Sequence, residues 1–403
     1  MFRPEKFYQD QTIELVASRA VSIDRAERKL LLASGRTLPY GHLVLATGAR
    51  NRLLDLPNAN LPDVKYLRIL DDSEALRKII ASKTRVVVIG AGFIGLEFAA
   101  TARIKGLEVD VLELAPLQRL LAEQNDVAEA CLVFVDRLLN PIQSLTIVAM
   151  GKFGGREIGY GADLDVLFVG EDQRSAQLLT GALAQPSAEG TFTPLDARLR
   201  PDGEKGPLVC SLETLRNYYE TRAQFWELQA LTRARAVTGS LGFEFEALAK
   251  ELWREAGTRR DLVRQIEDML VRIANERGCG NDFFDFKTGI GGMIEAEFLV
   301  QALQMQHRVW EPNFSSAIEK LATRKIFAHE DARSLQKAYY FLRVCESVLR
   351  RWQNRSVSTL PTSREEEDQF ARRMRFKTID DFRAPYSRAR EVIHSLRQRY
   401  LAE

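Results

Sequence analysis

Hydrophobic positions follow three different rhythms along the chain. From residue 1 to about 116, apolar residues come in short clusters between turn residues. This predicts short strands and turns, ending in a strand–glycine–helix–strand unit. From about 117 to 240 the pattern opens on a helix over about 120–139. An apolar strand from Leu145 to Met150 follows, then a glycine-rich turn, a second apolar strand from Leu164, and an extended segment around Asp196 to Arg200. The stretch 173–190, rich in Ala, Gln, Ser and Gly, predicts a short helix and a loop. Beyond 240, apolar residues recur at three- and four-residue spacing, as in Leu262, Ile266, Met269, Leu270 and Ile273. That spacing predicts helices almost throughout. The expected class is α/β plus all-α, in three parts: 1–116, 117–240 and 241–403.

The first candidate chemistry lies in Arg85-Val-Val-Val-Ile-Gly-Ala-Gly-Phe-Ile-Gly-Leu-Glu97. A buried strand leads into Gly90, Gly92 and Gly95, and a helix and a second strand ending at Glu113 follow. Gly90 allows the tight turn, Gly92 lets backbone approach a pyrophosphate, and Gly95 lets helix and strand pack closely. The helix N-terminus offers free N–H groups to phosphate, and Glu113 is placed to bind a ribose hydroxyl. Leu43-Val-Leu-Ala-Thr-Gly-Ala49 lies upstream. With these segments, residues 1 to about 116 resemble an internal slice of the pyridine nucleotide-dependent flavoprotein reductases, most closely the ferredoxin-reductase type. The resemblance implies a partial Rossmann-like fragment, with Thr47 and Gly48 near a flavin and the later glycine turn near NADH. The family's first FAD-binding unit, later flavin motif and dimerisation domain have no counterpart, so NAD and FAD are expected by ancestry only.

The second candidate is Gly151-Lys-Phe-Gly-Gly-Arg-Glu, followed by Tyr160-Gly-Ala-Asp-Leu-Asp165. On a strand, Asp163 and Asp165 point to the same side about 7 Å apart, an arrangement ill suited to a core. It suits Mg2+, which is held by a few carboxylates and usually also by phosphates. Asp196, Arg198 and Arg200 alternate with Ala197 and Leu199, so on a strand one acid and two guanidinium groups share a face. Arginine matches phosphate oxygens bidentately. Gly154 and Gly155 are expected to let backbone N–H groups approach a triphosphate, with Lys152, Arg156 and Lys205 as further phosphate contacts.

These segments, with Leu195 to Gly203, Trp226 to Arg235 and Phe286 to Phe298, carry a second resemblance. From about residue 120 to the end the chain is similar to glutamine synthetase adenylyltransferase, within the polymerase-β-like nucleotidyltransferases. The resemblance implies a nucleotidyltransferase domain followed by a C-terminal helical bundle. It makes Asp163, Asp165 and Asp196 the three metal carboxylates, Asp196 coming from a neighbouring strand. ATP is then a substrate, glutamine synthetase the acceptor and a PII-type protein a candidate regulator. The sequence around Trp226 is closer to the adenylylating half of that family than to the AMP-removing half. The Trp226–Arg235 block reads equally well as a core helix, with Arg233 and Arg235 either near phosphates or paired with surface acids. Glu295 and Glu297, in a first helical turn, suit the helix dipole. In the family an Asp is frequent at position 295 and a Ser at position 162, where this chain has Glu295 and Ala162.

Bulk properties narrow the classes. The chain has 403 residues, 45% hydrophobic and 28% charged, as expected of a globular protein with more than one core. A net charge of +2 gives no electrostatic reason to expect nucleic acid as a partner. Four scattered cysteines form no metal or disulfide pattern, and no apolar run approaches membrane-spanning length. With no signal-peptide core at the N-terminus, a cytoplasmic, membrane-free setting is expected. Three functions are therefore distinguished: an Mg2+-dependent adenylyltransferase, an NADH-dependent flavin reductase, and a non-catalytic fusion that only binds glutamine synthetase or its regulators.

Overall fold

The computed structural model describes residues 4–48, 50–51, 53–54, 59–90, 93–112, 117–140, 144–185, 193–277 and 282–401. The chain divides into two compact units, 1–114 and 115–403.

The first unit opens with α1 (Glu5–Asp10) and an antiparallel meander of β1 (Ala20–Asp24), β2 (Lys29–Leu32) and β3 (Thr37–Pro39). Helix α2 (Leu70–Ile80) starts where Asp72 accepts the backbone N–H groups of Arg68 and Ile69, closing its first turn. Strand β4 (Arg85–Ile89), helix α3 (Phe93–Ile104) and strand β5 (Glu108–Leu112) form a crossover unit, with β4 and β5 parallel and Val87 opposite Asp110. Its buried core is small: Ile80, Ala102 and Leu107, with Val86, Phe98 and Val109 packed against them. The alternate residues of β4 lack a covering layer, and Val87 is 50% exposed.

In the second unit, α4 (Leu117–Leu139) packs near a five-stranded sheet in which β10 (Arg235–Thr238), β6 (Leu145–Ala149), β7 (Leu164–Gly170) and β8 (Leu195–Asp196) are neighbours in that order, and β9 (Val209–Cys210) also pairs with β7. Strand β6 is antiparallel to β7 and β10; β8 and β9 run parallel to β7. The short helix α5 (Gly151–Gly154) links β6 towards β7, and α6 (Gln173–Ala184) follows β7. Apolar residues sit on both sides of the central strands, so these strands are buried on two faces. Ile147, Ala149, Val166 and Phe168 join one core with Leu132 and Phe153. Val148, Met150, Leu167 and Val169 join another, continuous with Trp253, Phe286 and Tyr339 of the helical region.

The helices α7 (Leu212–Thr221), α8 (Phe225–Ala230), α9 (Gly242–Ala256), α10 (Leu262–Arg277), α11 (Met293–Gln306), α12 (Phe314–Thr323), α13 (His329–Gln353), α14 (Arg364–Arg373) and α15 (Ile379–Tyr400) follow. Side-chain caps mark several starts: Asp172 for α6, Ser211 for α7, Asn313 for α12, Ser363 for α14 and Thr378 for α15 each accept a first-turn N–H. Helix α11 is buried almost all round and packs against α9, α10, α12, α13 and α15. The helical rhythm read beyond 240 matches these elements, and α10 carries the Leu262–Ile273 series.

The extended segment read from Asp196 to Arg200 is a correction. The strand ends at Asp196, and residues 198–202 form a turn before Gly203. Pro201 cannot donate to a ladder, and Asp202 adopts a left-handed backbone (φ 59°), so the chain reverses instead of extending. The block 226–235 is likewise not one helix. It runs through α8, a tight turn at 231–233 and the first residue of β10.

Candidate active site

Strand pairing brings the acids together. Strands β7 and β8 run parallel with Asp165 directly opposite Asp196, and Asp163 lies two residues before Asp165. Neighbouring strands are about 4.8 Å apart, so the two carboxylates share one edge of the sheet. Asp163 is exposed and Asp165 half-buried. Burial, and then the negative charges of Asp196 and Asp163, push the Asp165 carboxyl up to about 6, against Lys152 and Arg198, which pull it down. Asp196 is held below the ordinary carboxylate range by Arg198, which donates to it through Nε at 2.9 Å and through its terminal nitrogen at 2.5 Å.

The glycine that meets the acids is Gly151. It has φ +53°, and a Cβ placed on it would lie 2.3 Å from Asp165 Oδ2, so the backbone passes against the carboxylate where no side chain fits. Gly154 and Gly155 act differently from the expectation. Both are buried, and their N–H groups are taken by the carbonyls of Met150 at 2.8 Å and Gly151 at 3.1 Å. A Cβ on Gly154 would lie 1.7 Å from the Arg233 carbonyl oxygen, so this residue makes room for the 231–233 turn and not for a phosphate.

The arginines also divide. Arg198 points to Asp196. Arg200 donates to the carbonyls of Ala197 at 2.8 Å, Glu204 at 3.2 Å and Gly206 at 3.2 Å, so it braces the turn. The expected common face of Asp196, Arg198 and Arg200 is lost with the strand. Arg156 pairs with Asp126 of α4, and Lys205 is exposed in the turn. Arg233 forms a buried pair with Glu157 at 2.9 Å, and Arg235 pairs with Glu129 at 2.7 Å, so neither faces the acids as a free cation.

Lys152 lies between Glu297 of α11, 3.9 Å away, and Glu346 of α13, 3.8 Å away, and its side chain is 23% exposed. Burial and Arg343 push its ammonium down to about 8, against the pull of Glu346 and Glu297. Glu295 and Glu297 are two positions apart on α11 and so point nearly 200° apart. Glu295 accepts from Arg397 at 2.6 Å and contacts His394 at 2.8 Å on α15. Glu297 accepts the Tyr339 hydroxyl at 2.8 Å on the other side. Sequence reasoning missed Glu346, Arg343 and Glu157. Glu157 pairs with Arg233, and Arg343 reaches the Glu157 carbonyl, contacts between distant parts of the chain that only long-range packing shows.

Among the described residues no three His, Cys, Asp or Glu side chains form a ready-made metal cage. The donor chemistry nevertheless fits a hard cation: Asp163, Asp165 and Asp196 supply only oxygens, and burial together with the charges of Asp196 and Asp163 raises Asp165. The Arg198 guanidinium occupies the place of countercharge at Asp196.

In the first unit Gly90 has φ +104° and donates to the Leu112 carbonyl at 2.8 Å. A Cβ on Gly95 would lie 2.0 Å from the Gly90 carbonyl oxygen, so the close helix–turn approach expected there is present. Gly92 and Glu113 lie outside the described residues. Beside Gly90 and Gly95 an open cleft of about 870 Å3 is lined by Val87, Ile89, Ile94 and Tyr66.

Comparison with known proteins divides the chain similarly. Residues 115–250 match the family model of glutamate-ammonia ligase adenylyltransferase, and residues 260–401 match that of GlnD PII-uridylyltransferase. Residues 5–132 match pyridine nucleotide-disulphide oxidoreductase. Bifunctional glutamine synthetase adenylyltransferase/adenylyl-removing enzymes are similar to much of the chain. That of Streptomyces avermitilis is 32% identical over 323 residues, covering 72% of this chain and 32% of the relative. That of Mycobacterium tuberculosis is 31% identical over 368 residues, covering 84% and 35%. The chain therefore spans about a third of the length of these relatives. A solved ferredoxin reductase from Rhodopseudomonas palustris is 76% identical over 29% of each chain, with a TM-score of 0.26. The chain thus joins an oxidoreductase-like N-terminal part to an adenylyltransferase-like remainder, as its motifs implied.

Proposed function

We propose that residues 117–403 transfer AMP from ATP to a tyrosine of glutamine synthetase, on a polymerase-β-like domain (117–240) followed by a helical domain (241–403) that holds the protein substrate. The observation that carries this reading is the register of Asp165 opposite Asp196, with Asp163 two residues before Asp165 and Gly151 pressed against Asp165. The tyrosine oxygen forms a bond to the α-phosphorus of ATP, the bond to the β-phosphate oxygen breaks, and pyrophosphate leaves with the hydroxyl proton released. Asp163, Asp165 and Asp196 would hold Mg2+, which when bound neutralises phosphate charge and favours the ionised hydroxyl. Gly151 lets the backbone pass directly against the Asp165 carboxylate, and Lys152, next in the chain, supplies a cation whose charge acts on that acid. Arg198 is placed to exchange Asp196 for a phosphate when a metal takes that carboxylate, a change of partner suited to a guanidinium.

Several finer points belong to the same reading. The adenylylating direction rests on the 226–231 sequence, a PII-type protein is the expected regulator, and the setting is cytoplasmic. Among the described residues no helix is long and apolar enough to cross a membrane. Transfer of label from α-phosphate-labelled ATP to glutamine synthetase tests the function. Labelling that survives Asp163→Asn and Asp165→Asn, or none with the unaltered protein, overturns it. The rival oxidoreductase reading rests on the β4–α3–β5 unit with its glycine turn. A purified protein with flavin absorbance that oxidises NADH would favour it.

A further inference from the structure

The buried charges between the glycine turn and the helices are arranged in a way that packing alone does not require. Lys152, Glu157, Arg233, Glu297, Arg343, Glu346 and Arg350 lie in one network. Arg343 pairs with Glu346 and donates to the Glu157 carbonyl at 2.6 Å, and Gln229 donates to Gln301 at 2.7 Å, tying α8 to α11 alongside. Buried ion pairs are poor stabilisers, because desolvation offsets much of their attraction. This network is also incompletely hydrogen-bonded: Glu157 Oε1, Arg343 Nε, Glu346 Oε1 and Arg350 Nε have no hydrogen-bond partner, although Arg350 lies 3.1 Å from Glu346.

Lys152 is the member next in the chain to Gly151, which lies against Asp165, and its charge acts on that carboxylate. Its ammonium is 3.9 Å from Glu297 and 3.8 Å from Glu346, beyond direct hydrogen bonding to either. Two carboxylates thus fix its position without taking its N–H donors, and its side chain remains partly exposed beside Gly151 and Asp165. A lysine bound tightly to a carboxylate has its donors spent; one suspended between two still has them to offer an anion. We propose that Glu297 and Glu346 are positioning residues that hold Lys152 for a nucleotide phosphate, which makes α11 and α13 part of the nucleotide site. Burial and Arg343 lower the proton affinity of Lys152, against which Glu346 and Glu297 hold its charge, and the cations around Glu346 keep that carboxylate ionised, down to about 2. This inference rests on the adenylyltransferase reading for the identity of the anion.

The test is ATP titration of the full chain, by calorimetry with Mg2+, alongside the transfer assay. Glu297→Gln keeps an acceptor for Tyr339 but removes the charge. The expected result is ATP binding weakened about tenfold, KM for ATP raised similarly, and kcat changed less than threefold; Glu297→Asp should recover part of the loss. Lys152→Met should weaken ATP at least as much. Melting curves identify variants that fail to fold, and Glu346→Gln then replaces Glu297→Gln. ATP affinity within twofold of the unaltered protein in folded Glu297→Gln and Glu346→Gln overturns the proposal, as does an undiminished affinity in Lys152→Met. A protein that binds ATP with this dependence yet labels no glutamine synthetase sinks only the functional reading. One that binds no ATP sinks both.

Discussion

Both units of the molecule carry a strand followed by a glycine turn, and the two turns sit in opposite surroundings. In the first unit the turn at Gly90 ends a strand whose alternate residues are open, with Val87 half exposed and, among the described residues, a core cluster of Ile80, Ala102 and Leu107. In the second, the turn at Gly151 ends a fully buried strand, and the next strand leads the acids into register with a third. Glycine motifs report what the backbone must do locally, a tight turn or a close approach, and both units satisfy that demand. What differs between the two turns is the surroundings, since at Gly151 buried strands fix the side chains and charged groups converge.

The sharpest way to break this contrast is to alter one residue of each turn region and follow AMP transfer. Asp165→Asn should lower transfer by about 1000-fold or more, since the acid is proposed to hold the cation that offsets phosphate charge. Gly90→Val, which strains a left-handed backbone position, should leave transfer within about twofold. A large loss from the Gly90 change would mean that the first unit serves the reaction.

The second difference is one of stability. Phe168→Ala removes a fully buried ring from the sheet core and should cost about 3–5 kcal/mol in urea denaturation followed by tryptophan fluorescence. All four tryptophans, Trp226, Trp253, Trp310 and Trp352, lie in the second unit, so they report on it alone. Leu107→Ala, in the small core of the first unit, should leave that transition in place. Hydrogen exchange should find the amides of β4 and β5 exchanging before those of β6 and β7, because a two-stranded sheet with an open face has little to keep it closed.

Much of this architecture was legible in the sequence because local patterns encode it. The apolar run from Leu145, the Asp163–Asp165 pair leading into β7 and the helical rhythm of α10 all follow from neighbours within a few residues. The strand reading failed at Arg198 and Arg200 because alternation alone cannot show that Pro201 and a left-handed Asp202 turn the chain away. The roles of Gly154 and Gly155 were misplaced for a similar reason. A glycine that yields space to a carbonyl over 70 positions away looks identical, in sequence, to one that yields space to a phosphate. Lys152, Glu297 and Glu346 lie on three elements, and nothing periodic joins them; Glu297 was legible only as a residue suited to a helix start.

Asp165 offers a third test, in which site and fold oppose each other. Its carboxyl is raised from 3.8 to about 6 in the folded protein, so between those values the folded state binds more protons than the unfolded chain. Stability contributed by this group is therefore lost as pH rises from about 4 through 6, and the ionised residue is a burden at neutral pH. Asp165→Asn should raise stability by about 2 kcal/mol at pH 7 without Mg2+ and by almost nothing below pH 4, measured as Tm against pH. The same substitution that abolishes transfer would then stabilise the fold, as expected of acids kept together for a ligand. Equal Tm shifts at both pH values would show that the carboxylate is not strained by its neighbours.

The smallest effect concerns Arg198, whose side chain is 65% exposed while it neutralises Asp196. An exposed pair of this kind contributes about 0–1 kcal/mol, so Arg198→Ala should barely move Tm. Its consequence for cation binding has the opposite sign to its consequence for the nucleotide. Without the guanidinium, Asp196 loses its ion-pair partner and keeps only the weaker influence of Arg200, and Mn2+ used as a paramagnetic probe should bind the nucleotide-free protein a few-fold more tightly. ATP should bind a few-fold more weakly, since a phosphate ligand has been removed. No comparable pair of opposed shifts is expected from Arg85 and Asp110, which form an exposed ion pair of their own in the first unit. If both affinities fell together in Arg198→Ala, the arginine would be bracing the turn, as Arg200 does, and the acid edge would have no countercharge of its own.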